Sequence, residues 1–192
     1  MRFVALAAAL AFVTSACGST VAAPTATLIR TVPSVARTAT PTPLCPGAPN
    51  QASTKATITL EKGGTIVIQL RPDKAPKTVS IFALKSKTGF YNGKVFHRVE
   101  DWLVQGGDPL GNGTGGGEQC TELSDLPFVR LAVGIARRPT PVEISNDSQF
   151  FILKTDYRSL DHLYTNFGTV ISGMDVVDGI TIGDKIKTIT VE

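Results

Sequence analysis

The sequence is poor in the side chains most often used for covalent or metal chemistry, with only 2 histidines and 3 cysteines among 192 residues. No cysteine stands in a C-x-x-C unit and the histidines form no ligand set, so neither dithiol redox chemistry nor a zinc site is supported. No catalytic triad or pair of carboxylates is evident. Charge is also sparse: 18% of residues are charged, and 19 basic residues are scattered among 16 acidic ones for a net +3. That lacks the basic stripe a phosphate backbone requires, so nucleic acid is not an expected partner. The apolar run from Phe3 to Val13 is too short to span a bilayer, and no internal repeat is visible.

What the N-terminus does have is the layout of an export leader. One Arg, the apolar run and the small residues Thr14, Ser15 and Ala16 precede Cys17. Residues 1–16 therefore read as a signal peptide, and their ending resembles a bacterial lipoprotein signal in which Cys17 is lipidated; ordinary cleavage after Ala16 is the alternative. Both routes export the protein, either anchored to a cell membrane by lipid alone or secreted. Use of Cys17 leaves Cys45 and Cys120 as a candidate disulfide in an oxidising compartment. Residues 17–53 are dominated by Thr, Ala, Pro, Val and Ser, a composition that buries too little apolar area to offset ordering and reads as a tether.

Periodicity changes at Thr54. Ile58 and Leu60, then Ile66, Ile68 and Leu70, alternate with polar residues around a Lys62-Gly63-Gly64 turn and predict a half-buried hairpin. Asp73 as cap and Pro76 in the first turn predict a helix over 76–86, with Val79, Phe82 and Ala83 inward. Short strands are expected at 94–99, 102–106, 129–136, 149–154, 166–171 and 186–191, with a short helix over 173–179. Seven or eight short strands and two helices point to a closed antiparallel barrel rather than a parallel sheet.

The most informative stretch is FHRVEDWLVQGGDPLGNGTGGG, residues 96–117. Its glycines do not form a phosphate cradle, because no Gly-Lys-Ser/Thr follows. Phe96-His97-Arg98, Gln105-Gly106-Gly107-Asp108, Gly113-Thr114-Gly115-Gly116, Ser148-Gln149-Phe150-Phe151-Ile152 and Phe167-Gly168 occur in that order, and with them residues 54–192 resemble a cyclophilin. The resemblance implies a mainly β fold, a closed eight-stranded antiparallel β-barrel capped by two α-helices. It also implies peptidyl-prolyl cis–trans isomerase activity with no cofactor and no metal.

By the same resemblance, Arg98 and Gln105 are the catalytic candidates, Arg98 meeting the twisted amide and Gln105 the peptide backbone. Trp102, Leu103, Phe151, Leu160 and Tyr164 would wall a proline pocket. Gln149 would support Arg98, and the Arg137 main chain would pair with substrate. His97 is expected to be structural, since alternation in a strand points it away from Arg98. The partners implied are proline-containing peptides and unfolded exported proteins.

Two departures stand out. The Arg98–Gln105 spacing is one residue shorter than is usual in the family, with Glu100-Asp101 where a Pro-Gly turn is common, and Arg137-Arg138 replaces Asn-Ala. A catalytically weak proline-peptide binding module or chaperone is therefore the alternative function.

Overall fold

The computed structural model describes residues 53–192. The expected leader, Cys17, Cys45 and all of the tether but its last residue lie outside the described residues. The hairpin forms as the alternation predicts: β1 (Lys55–Leu60) pairs antiparallel with β2 (Thr65–Leu70), with Ile58 opposite Ile66. Every second side chain is buried because successive residues of a strand face opposite sides. Gly63 and Gly64 turn the chain with φ of 95° and 89°, a region that disfavours side chains.

Helix α1 (Pro76–Lys87) buries Val79, Phe82 and Ala83. Its cap differs from expectation. Asp73 instead forms an ion pair with Arg71, and the residue at the cap position, Ala75, offers no side-chain bond. The Lys77 and Thr78 N–H groups donate to the two carboxylate oxygens of Glu122, at 3.1 and 2.8 Å. An acid from a distant loop thus takes the amides that a local cap would satisfy, and places negative charge at the positive end of the helix dipole.

The chain continues through β3 (Phe96–Val99), β4 (Leu103–Gly106), β5 (Glu118–Cys120), β6 (Ala132–Ile135), β7 (Ile144–Asn146), β8 (Phe150–Leu153), β9 (Asn166–Ser172), α2 (Met174–Asp178) and β10 (Ile186–Val191). Eight strands form one antiparallel sheet in the order β10-β1-β2-β9-β6-β8-β4-β3, and β5 pairs with β7 separately. The expected strand over 129–136 is shortened at its start, where Leu131 adopts φ of 80°.

The sheet is curled but open, which corrects the expectation of a closed barrel. Among the described residues its two edges meet only through an isolated bridge, Val95 to Lys185, and a few backbone bonds such as Phe96 N–H to Asp184 O at 2.9 Å. Gly93 and Gly183, with φ of 74° and 91°, turn the chain at either end of this contact and leave it too short for a ladder.

Two apolar clusters lie on opposite faces of the sheet. Val104, Val133 and Ile152 join the main core with Phe82, Phe150 and Phe167, whereas their neighbours Leu103, Ala132, Phe151 and Leu153 form a second cluster with Phe128. The strands β4, β6 and β8 are buried on both sides, so they read as continuous apolar runs rather than alternating ones.

Candidate functional site

The second cluster is the floor of a groove. Strand pairing sets Arg98 opposite Gln105, Gln105 opposite Phe151, and Phe151 opposite Gly134. A cavity of about 150 Å³ is lined by Arg98, Trp102, Leu103, Gln105, Ala136, Arg137, Phe151, Leu160 and Tyr164. Eight of these nine were singled out in the sequence. His97 does not line it; both of its ring nitrogens are buried without a partner among the described residues, and burial, against the attraction of Asp108, lowers its pKa.

A polar chain crosses the groove. Arg98 Nη1 donates to Gln105 Oε1 at 3.2 Å, Gln105 Nε2 to Gln149 Oε1 at 2.9 Å, and Gln149 Nε2 to the Gly115 and Gly113 carbonyls at 2.8 and 3.2 Å. Gln149 therefore reaches Arg98 through Gln105, which is how it supports the guanidinium. Both glutamines are nearly inaccessible, at 9% and 3% exposure, and burial favours this full pairing. Arg98 also donates from Nε to Glu100 at 2.7 Å. Three of the five guanidinium N–H groups are left without a partner among the described residues.

The walls are braced in part by Tyr157, which the sequence did not single out. Tyr157 stacks on the Trp102 indole with centroids 4.2 Å apart, and the indole N–H donates to Glu100 Oε2 at 2.5 Å. The Arg98 guanidinium carbon lies 5.2 Å from the Trp102 ring centroid. Tyr164 sits edge-on to Phe151 at 6.1 Å and carries the Arg137 guanidinium 4.4 Å over its ring. Arg137 donates from Nε and Nη1 to the Leu163, Arg138 and Pro139 carbonyls, so its side chain holds a wall. Its main-chain N–H and C=O have no partner among the described residues.

A second cavity, of about 320 Å³, adjoins the first across Gln105, Ala136 and Arg137 and is lined by Gly113 to Gly117, Glu118 and Arg138. Its glycine loop is folded around Asp108, whose carboxylate accepts the Leu110, Asn112 and Gly113 N–H groups at 3.1, 2.8 and 2.6 Å. Burial raises the Asp108 pKa, but the three amide bonds outweigh it and hold the carboxyl below the usual range. The loop contribution is therefore complete above the unfolded carboxyl pKa, about 3.9, and is lost as pH falls through the lower folded value. Amide exchange of Asn112 and Gly113, taken relative to the intrinsic rate at each pH, should accelerate only below about pH 4. In Asp108→Asn, which lacks the ionised acceptor, it should be fast at neutral pH; slow exchange there would sink the assignment.

Cys120, at the end of β5, is disulfide-bonded, while Cys17 and Cys45 both lie outside the described residues.

The site and the fold have counterparts in known proteins. A family model described as cyclophilin type peptidyl-prolyl cis-trans isomerase matches residues 55–191. A probable peptidyl-prolyl cis-trans isomerase of Brucella suis is 41% identical over 141 residues, covering 66% of this chain and 71% of that protein. A Cryptosporidium parvum cyclophilin type isomerase superposes with a TM-score of 0.66 at 25% identity, covering 73% of this chain and 98% of that one. The same protein in the presence of the dipeptide Ala-Pro gives 0.64 at 25% identity, over 72% and 98%. With a family match spanning nearly all of the described residues, this chain belongs to the cyclophilin-type peptidyl-prolyl cis–trans isomerases.

Proposed function

We propose that residues 54–192 accelerate the cis–trans isomerisation of X–Pro bonds in exported or surface proteins, with Arg98 stabilising the twisted amide. The observation that carries this reading is Arg98 itself, held by two hydrogen bonds at the rim of a cavity walled in part by Leu103, Phe151 and Leu160, with three N–H groups to spare. An X–Pro bond resists rotation because amide resonance must be broken, a barrier of about 18–20 kcal/mol. A catalyst needs only to favour the twisted amide over the planar ones. With the proline ring against Phe151, Leu103 and Leu160, the spare donors meet the prolyl nitrogen as it becomes pyramidal and gains a lone pair, and the adjoining carbonyl. No bond is made and no proton is moved. Gln105 keeps one amide hydrogen and one lone pair for the peptide backbone, and the unpaired Arg137 main chain supplies a further contact.

The binding of proline peptides is supported by the Cryptosporidium neighbour studied with Ala-Pro. The second cavity would take the residues preceding proline, with Arg138 favouring acidic ones. We further assign residues 1–16 to a signal peptide, Cys17 to lipidation, residues 17–53 to a tether, and Cys45 as the disulfide partner of Cys120; mass spectrometry of the mature N-terminus tests the anchor.

The activity is tested by proline exchange spectroscopy on residues 54–192 with an Ala-Pro peptide. Cross-peaks between cis and trans forms should grow with protein concentration. Binding without exchange would instead identify a peptide-binding module.

A further inference from the structure

Glu100 directly follows β3, and its N–H donates to the Leu103 carbonyl at 2.9 Å, which leaves Asp101 and Trp102 as the two residues at the tip of the turn into β4. The carboxylate has a partner on each oxygen. Oε1 accepts from Arg98 Nε at 2.7 Å, and Oε2 accepts from Trp102 Nε1 at 2.5 Å. The main chain is fixed as well, since Lys154 Nζ donates to the Glu100 carbonyl at 3.2 Å. A guanidinium, a carboxylate and an indole thus close on one another at the mouth of the cavity.

Two effects of the carboxylate on Arg98 compete. Its negative charge offsets part of the positive charge offered to a polarised carbonyl. Against that, a hydrogen bond to Nε, together with the Gln105 bond to Nη1, fixes two points of a planar group and so sets the plane in which the other N–H groups point. The side chains of Arg98 and Glu100 are 41% and 42% exposed. Water therefore screens the charge effect, whereas the direction imposed by the two bonds does not depend on screening. Arginine otherwise has many rotamers to lose when it engages substrate. Orientation is the larger effect.

We propose that Glu100 is a positioning residue of the isomerase site, its carboxylate bridging Arg98 Nε and Trp102 Nε1 so that the remaining guanidinium N–H groups face the groove. In this chain the turn at Glu100-Asp101 holds the carboxylate within reach of both partners. The inference rests on Arg98 being the group that acts on the amide. Hydrogen bonding from Arg98, against a smaller effect of burial and with help from Trp102, holds the Glu100 carboxyl below its usual range, so the bridge is charged throughout the neutral range.

The test compares wild type, Glu100→Ala, Glu100→Gln and Arg98→Ala in kcat/KM, thermal unfolding and the ¹⁵N–¹H resonances of the Trp102 indole and the Arg98 Nε. The chain has one tryptophan, so the indole signal needs no assignment. Glu100→Ala and Glu100→Gln should each lower kcat/KM about tenfold, equivalent to about 1.4 kcal/mol, chiefly through kcat. The unfolding midpoint should stay near wild type, and the indole and Nε signals should both shift. In wild type those two signals should move together as pH falls below about 4.5, and Glu100→Gln should remove that titration. Unchanged or raised kcat/KM in both Glu100 variants overturns the proposal, as does an indole signal that neither moves on substitution nor titrates. If Arg98→Ala alone is inactive, positioning by Glu100 fails while the role of Arg98 stands. If Arg98→Ala is fully active, the role of Arg98 fails and the proposal with it.

Discussion

Arg98→Ala is expected to lower kcat/KM by about 10²–10³-fold, the effect typical of removing one preorganised donor to a developing charge. Few other groups lining the cavity could substitute. Gln105 is held by Arg98 and Gln149, and the Arg137 guanidinium, which also lines the cavity, is turned onto the Leu163, Arg138 and Pro139 carbonyls. The loss should fall mainly on kcat, because the ring-binding walls Phe151, Leu103 and Leu160 do not depend on the guanidinium. Stability should change little, since the side chain is 41% exposed and such positions usually shift folding by within about 0.5 kcal/mol. Arg98→Lys should recover little, because an ammonium lacks the planar fork that Gln105 and Glu100 hold in place. Exchange spectroscopy on the folded variants checks this; more than a tenth of wild-type activity in Arg98→Ala would rule out its role.

Gly134→Ala is expected to damage the site from behind. A Cβ at Gly134 would lie 2.3 Å from Phe151 Cζ and 2.8 Å from Phe128 Cε1, so something must move. The two rings are stacked at 5.8 Å, and Phe128 is 1% exposed, which leaves Phe151 no retreat on that side. Its open side is the cavity. Overpacking of this kind costs about 1–3 kcal/mol, and a ring displaced into the cavity occupies the space meant for proline. Misplacement on the scale of 1 Å is worth up to about 10²-fold in rate, so kcat/KM should drop about ten- to a hundredfold, with KM raised. Thermal unfolding and an NMR titration with Ala-Pro peptide measure both halves. Lowered stability with unchanged peptide affinity would separate Gly134 from the pocket.

Much of the fold and of the candidate site was legible because the signals are local. Ile58, Leu60, Ile66, Ile68 and Leu70 alternate over one short stretch, and Val79, Phe82 and Ala83 mark one helix face. Of the residues picked out around the groove, Arg98, Trp102, Leu103, Gln105, Arg137, Phe151, Leu160 and Tyr164 line one cavity, and Gln149 lines the adjoining one. What escaped depends on partners far along the chain or on distances no pattern encodes. Glu122 caps a helix more than forty residues before it, where Asp73 had the better local spacing. Strands β5 and β7 are three residues each, EQC and ISN, too short and polar to show a period. Gly134 is one glycine among 18, and only the ring behind it explains it. The open sheet is likewise a matter of where Gly93 and Gly183 turn the chain, which strand counting does not address. Glu100 was noticed as part of a shortened turn, but not as a ligand of both its neighbours.

The unclosed sheet bears on motion. Past Phe96, and among the described residues, β3 is hydrogen-bonded to β4 on one side only, whereas β6 and β8 are flanked on both. A strand held along one margin frays without unzipping its neighbours, and low local cooperativity of this kind is characteristic of elements that must yield to a ligand. The backbone under Arg98 can therefore breathe on its own while the aromatic interior around Phe82 stays shut.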